Sequence, residues 1–342
     1  MRNPPDCWEY PRHAAQAVAL AAILCALSLP VFGATEKPAT FTLAQTNALV
    51  GDWHNAAKPD GVVAQVIVDD QGGYRANLLR QFDAESNHIA TLRGELKDGR
   101  IALRGEGWAG DIAGGKFTGQ KDGESFELSH IARKSPTLGA KPPTSGMLLF
   151  DGANFDAWAK KKGKEWLVED GASPWKLVAG GAMEIVPNSD SIISKRKFGD
   201  AKVHVEFRTL GKPTNSGVYL QARYEVNINE IYGSLEGTPC GGLDNCTPPT
   251  SKPRIRAARP SLEWQTLDID FSAPRFDAAG NKTASARATV ALNGVTVVRD
   301  VELNQPKGAA SRLGEAATGP LMLQDHGQPV QFRNVWVLAK SE

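Results

Sequence analysis

Along most of the chain, apolar and polar residues alternate with a period of two, the spacing that sends successive side chains to opposite faces of a β-strand. The longest such run is 215–229 (NSGVYLQARYEVNIN). Val218, Leu220, Ala222, Tyr224, Val226 and Ile228 share one parity, and Tyr219, Gln221, Arg223, Glu225, Asn227 and Asn229 share the other. The pattern predicts one strand with a core face and a polar face. Residues 200–208 alternate as cleanly, with Ala201, Val203, Val205 and Phe207 inward and Lys202, His204, Glu206 and Arg208 outward; 285–292, 295–298 and 330–338 continue the pattern. Asp98-Gly99, Asp122-Gly123 and Asn293-Gly294 each separate two alternating runs, a strong hairpin signal. Residues 41–132 therefore read as a small β-meander domain. Residues 133–146 (RKSPTLGAKPPTSG) read as a linker with little to bury. Residues 147–342, with one long loop region at 231–261, read as a second domain. The expected fold class is all-β: an antiparallel jelly-roll sandwich preceded by the meander.

A length of 342 residues fits two domains, and a net charge of +1 supplies no field for nucleic acid or an anionic membrane, which leaves neutral or small partners. The exception to the alternating pattern is the apolar run 14–32, which contains AVALAAILCALSLPVF. This apolar run ends at small residues and reads as a secretory signal peptide over 1–34, although Asp6 and Glu9 offset Arg2 and Arg12. An uncleaved anchor is the competing reading, since the run is near the minimum spanning length. Cys25 lacks the preceding small residue of a lipoprotein anchor. Export predicts a periplasmic or secreted protein with no stable membrane association after cleavage, and leaves the oligomeric state open. Cys240 and Cys246 would then remain, around a short turn-forming loop, and predict a disulfide clip at the weak end of the usual ~2–4 kcal/mol. His54, His88 and His130 are isolated and read as packing or surface residues, so the meander is assigned no chemistry.

The polar parity of 215–229 carries Tyr, Gln, Arg, Glu and Asn but no Lys, Ser or Thr. A solvated outer face is one reading. Flat groups that both donate and accept hydrogen bonds also suit a polyhydroxylated ligand. In 319–334 (GPLMLQDHGQPVQFRN), Gln324 and His326 share a parity, and Arg333 follows on the next strand. If that hairpin neighbours the polar face, Glu225, Gln324, His326 and Arg333 converge as an acid/base pair with an anion stabiliser.

At these residues the sequence resembles the 3-keto-disaccharide hydrolase domain family, a concanavalin-A-like jelly roll, over about 146–340. The resemblance rests on Leu149, Phe150, Asp151 and Gly152 with Asn154 and Trp158, on Phe207-Arg208, and on Asn215, Ser216 and Gly217 with Tyr224-Glu225. It continues through Glu263, Trp264 and Gln265 to 323–327 (LQDHG) and 330–334 (VQFRN). It implies an exported glycoside hydrolase acting on sugars already oxidised to a ketone at carbon 3. Glu225, Gln324, His326 and Arg333 occupy matching motif positions. His326 or Glu225 is then the base, and Arg333 or Arg223 stabilises the oxyanion. Asn215, Tyr219, Gln221, Gln265, Gln324 and Asp325 contact the substrate. No cofactor is implied, and no ligand spacing around Glu225, Glu230 or Asp325 is diagnostic of a metal. The family's usual Tyr after the loop glycines is missing from 240–246 (CGGLDNC), which bears on substrate range. A non-catalytic, lectin-like carbohydrate-binding module is the alternative, because this fold hosts both.

Overall fold

The computed structural model describes residues 48–340 apart from 70, 86, 235–239, 244–254, 305 and 307, and apart from the side chains of 308 and 309. The expected signal peptide and Cys246 lie outside the described residues. Among the described residues no helix is long and apolar enough to cross a membrane.

Strands are numbered in chain order. β1 (Gly51–His54), β2 (Val63–Val68), β3 (Tyr74–Leu79), β4 (His88–Lys97), β5 (Arg100–Gly105), β6 (Trp108–Ala113), β7 (Lys116–Lys121) and β8 (Glu124–Ile131) pair antiparallel in sequence order. β8 then pairs with β1, so the expected meander is a closed barrel without free edges. Asp98-Gly99 and Asp122-Gly123 take positive φ as hairpin turns require. Trp53, Leu78, Leu92, Ile101, Leu103 and Phe117 fill the interior. A side chain at Gly94 would meet the carbonyl oxygen of Ala102 at 1.9 Å, so tight strand curvature there needs glycine.

Two sheets follow. The smaller runs in the order β11 (Glu165–Ala172), β10 (Trp158–Lys162), β14 (Ile192–Phe198), β23 (Gly319–Leu323), β16 (Asn215–Leu220) and β17 (Tyr224–Asn229). The larger runs β12 (Lys176–Val178), β13 (Ala182–Glu184), β24 (Val330–Ala339), β15 (Ala201–Thr209), β18 (Gln265–Ser272), β21 (Ala286–Leu292) and β22 (Val295–Leu303), with β9 (Met147–Phe150) also on β24. β19 (Arg275–Phe276) and β20 (Lys282–Ala284) form a separate ribbon. Val218, Tyr224, Val226 and Leu323 of the smaller sheet and Val205, Phe207, Ile269 and Phe332 of the larger share one buried cluster. This is the antiparallel sandwich expected from the alternation, and each sheet turns its other face outward.

Two local features differ from the sequence reading. Residues 215–229 are a hairpin rather than one strand. Leu220 pairs with Tyr224, so three intervening residues preserve the parity and hide the turn. Gln221 and Ala222 both take φ of +54°, a conformation that costs non-glycine residues roughly 1–2 kcal/mol each. The turn is held by bonds from Gln221 Nε2 to the carbonyls of Phe198 (3.2 Å) and Ala317 (3.1 Å). The linker is also more engaged than its composition suggests. Ser135 is buried and meets Thr266 Oγ1 at 2.6 Å, Gly139 N donates to Glu206 at 2.6 Å, and the Ala140 carbonyl accepts from Asn334 and Trp336. Its Ser135 hydroxyl and the backbone groups of Gly139 and Ala140 serve as partners for the outer face of the larger sheet.

Barrel and sandwich meet through a polar junction. Tyr232 donates its hydroxyl to Asp52 (2.8 Å), Arg133 binds Asp52 and Asp83 (both 2.6 Å), and Arg259 also binds Asp83 (3.2 Å). Burial, with Asp52 close by, pushes the Glu263 carboxyl up to about 7 against the pull of Arg259 and Arg133.

Candidate active site

The outer face of the smaller sheet is built by the second parity of the hairpin. Tyr219 lies opposite Glu225 and Gly217 opposite Asn227, and Tyr219 also pairs with Met322 of β23. The Glu225 carboxylate folds back over Gly217: a Cβ on residue 217 would lie 2.7 Å from Glu225 Oε1. Gln324, leaving β23, donates from Nε2 to the Tyr219 hydroxyl at 3.1 Å, and its backbone N–H bonds the Gly217 carbonyl at 3.0 Å. Glu225, Tyr219 and Gln324 are thus gathered around one glycine. Among the described residues Gln324 Oε1 is buried with no hydrogen-bond partner, which leaves one open acceptor beside Tyr219.

The floor beside them is apolar. Trp166 packs edge-on against Tyr219 at 5.5 Å and shares a buried cluster with Ile193, Ala222, Ala310 and Met322. Lys161 and Arg312 both approach the Trp166 ring. Lys161 is buried, pairs with Asp190 and donates to the Gly163 carbonyl at 2.7 Å. Past Gln324 the chain turns through Asp325, which accepts from the backbone of Asp190 and Gly327. His326 follows, exposed. With Asn188, Ser189, Asp190, Asp325 and Gly327 it lines an open cavity of about 500 Å³.

Several residues expected at the site lie elsewhere. Arg333 is on β24, paired with Glu206 of β15, on the outer face of the larger sheet. Phe332 and Phe207 beside it point into the core. Glu225 and Arg333 therefore face away from each other across the sandwich, because each neighbours core residues of a different sheet. Arg223 gives its Nε to the Gly314 carbonyl (2.6 Å) and Nη1 to that of Gln221 (2.8 Å), and Gln221 holds the hairpin turn. Gln265 is buried and accepts from Arg259 N and Asn293 Nδ2, which orders the chain at the junction. Asn215 remains on the Tyr219 face, at the far end of β16 opposite Asn229.

Lys161, Trp166 and Asp190 were not foreseen. Lys161 sits in the run 160–164 (KKKGK), which reads as solvated charge, and only its opposite parity to Lys160 and Lys162 marks it as different. Cys240 is a buried free thiol whose pKa burial raises to about 12, and its expected partner Cys246 is outside the described residues. Among the described residues no group of three or more His, Cys, Asp or Glu side chains could hold a metal ion. Glu230 accepts from the Thr209 hydroxyl, and burial raises its pKa.

Residues 147–338 match the family described as "3-keto-alpha-glucoside-1,2-lyase-like domain". The chain belongs to this family. The match spans the sandwich and leaves the barrel outside it. A crystal structure described as a "putative glycosyl hydrolase" from Parabacteroides distasonis is 28% identical, with a TM-score of 0.51, over 58% of this chain and 85% of its own. A second structure of the same description and organism is 18% identical, with a TM-score of 0.40, over 58% and 94%. No curated protein matches the sequence. In this 3-keto-glucoside lyase-like domain, the motif residues divide between the two outward faces of the sandwich, with Tyr219 and Glu225 themselves buried. Tyr219, Glu225 and Gln324 with the Asp325–His326 loop occupy one, and Arg208, Trp264 and Arg333 occupy the other.

Proposed function

We propose that the protein is an exported glycoside-cleaving enzyme acting on 3-keto-glycosides at the outer face of the smaller sheet. Family membership and the 28%-identical glycosyl hydrolase structure support the glycosidase-type activity. The description of the family as a 1,2-lyase supports elimination rather than direct displacement at C1.

A ketone at C3 acidifies the C2 hydrogen. Glu225 takes that proton, and the electron pair forms an enolate whose charge rests on the C3 oxygen. The enolate collapses to a C1=C2 double bond and breaks the C1–O bond to the aglycone, and His326 at the rim protonates the departing oxygen. Water then adds at C1 and a proton returns to C2, giving the free 3-keto sugar. Tyr219 and Gln324, gathered with Glu225 over Gly217, take the oxyanion-stabilising role first expected of an arginine. Such a route needs no pair of carboxylates at fixed separation.

The observation that carries the reading is the gathering of Glu225, Tyr219 and Gln324 over Gly217, with one buried acceptor of Gln324 unfilled. The test is incubation with a 3-keto-glucoside bearing a chromogenic aglycone, and with the unoxidised glucoside, each with and without chelator. Release from the keto substrate alone is the expected result. Binding without release would favour the lectin-like alternative.

A further inference from the structure

The motif residues left out of that site form a cluster of their own on the opposite face of the sandwich. Arg208 and Gln331 are paired across β15 and β24, and Arg333 lies diagonally from Arg208, opposite Glu206. Trp264 immediately precedes β18 and lies against both guanidinium groups, 4.8 Å from Arg208 Cζ and 4.0 Å from Arg333 Cζ. The two cations are close enough that Arg333 helps lower the pKa of Arg208, after the larger effect of burial.

The carboxylates around them are already committed. Glu206 takes Arg333 Nε at 2.6 Å together with Asn334 Nδ2 and Gly139 N, and Glu184 takes Lys176 at 2.7 Å together with Gln331. Among the described residues Arg208 has only the neutral oxygen of Gln331 on its Nε, at 2.6 Å, and no ion pair. The terminal nitrogens of both arginines bond nothing among the described residues. Two guanidinium forks beside an indole, with one positive charge uncompensated, form an arrangement that a planar oxyanion completes. An open hollow of about 510 Å³ is lined by Arg333 and Asn334 with Lys141, Pro142, Asp151 and Gly180, and Arg208 and Trp264 do not line it.

We propose that Arg208, Trp264 and Arg333 form a second ligand site, separate from the glycoside-cleaving face, that binds the carboxylate of an acidic sugar residue. The guanidinium forks take the carboxylate, and the indole offers its surface to the pyranose ring. A phosphate would satisfy the charge but would leave the indole unused. A uronate uses both.

The test follows the Trp264 indole N–H resonance of the full chain during titration with methyl glucuronoside, methyl glucoside and inorganic phosphate. Saturable millimolar binding of the glucuronoside is expected, with no response to the glucoside and a weaker response to phosphate. Arg208→Gln removes a group that makes no ion pair, so the fold should stand, and binding should weaken at least tenfold. Arg208→Lys, which keeps the charge but loses the fork, should fall between. Glu225→Gln, on the other face, should leave this titration unchanged. Equal binding of glucoside and glucuronoside, phosphate binding as tight as the glucuronoside, unaltered binding in Arg208→Gln, or no glucuronoside response would each overturn the proposal.

Discussion

Gly217→Ala isolates the position of Glu225 from everything else at the site. Gly217 lies inside β16 without a positive φ, so its backbone conformation is one that alanine can adopt. The added methyl would lie 2.7 Å from Glu225 Oε1, 3.0 Å from Cγ and 3.2 Å from Cδ. Ordinary contact begins near 3.4 Å, so the carboxylate must retreat by about 0.7 Å. Displacement of a reacting group by ~1 Å costs on the order of 10²-fold, so kcat/KM for a 3-keto-glucoside should fall by about 10- to 100-fold. Replacing glycine by alanine contributes about 0.4–1 kcal/mol through the unfolded chain, which offsets part of the cost of moving the buried Glu225 side chain, so thermal unfolding should show at most a modest loss. Chromogenic aglycone release read beside a melting curve separates the two effects. The double variant Gly217→Ala/Glu225→Gln should lose little more than Glu225→Gln alone, since both changes act on one carboxylate. A fully active Gly217→Ala protein would refute the placement of the base.

Three further outcomes are expected. Glu225→Gln should lower turnover by roughly 10²–10⁴ and His326→Gln should lower it less for aglycones that are good leaving groups, as steady-state rates across an aglycone series will show. Glu263 has a folded pKa near 7, above its unfolded value, so it holds its proton more tightly when folded and stability should fall as pH rises from about 4.5 to 7. Glu263→Gln should remove that slope, worth on the order of 2 kcal/mol after allowance for partial exposure, in denaturant melts across the range. Glu206 behaves in the opposite sense. Burial alone would raise its pKa, but His204, Asn334, Arg333 and the Gly139 N–H hold it at about 2, so its contribution is present above about pH 4.5 and is lost as pH falls toward 2, about 3 kcal/mol in all. Melts of Glu206→Gln over pH 2–5 should show a flatter acid limb.

Much of the sandwich was legible because a period of two is a direct statement about faces. Val203, Val205 and Phe207 point inward as their parity requires, and Asn293-Gly294 turns with positive φ at both residues. Closure of the barrel was not legible, because the pairing of β8 with β1 joins segments some 75 residues apart with no local signal. The hairpin at Gln221-Ala222 was hidden because its turn residues carry no glycine or asparagine and preserve the parity. For the site, parity put Tyr219 and Glu225 on one face, and chain proximity kept Gln324 and His326 near each other. Arg333 could not be placed the same way: parity says which side of its own sheet a residue occupies, not which of two sheets the strand joins. β23 enters the smaller sheet and β24, after the 324–329 turn, enters the larger, so the two halves of one motif part company. Lys161 escaped notice because a charge run conceals a single buried member.

The central claim, that Glu225 removes the C2 proton of a 3-keto-glycoside, is tested most directly by NMR of the cleavage reaction run in D2O. The free 3-keto sugar should carry deuterium at C2 beyond the exchange seen without enzyme, and Glu225→Gln should abolish both the label and the cleavage. Enzymatic cleavage that leaves the original hydrogen on C2, or a Glu225→Gln protein that still incorporates deuterium at the wild-type rate, would contradict it.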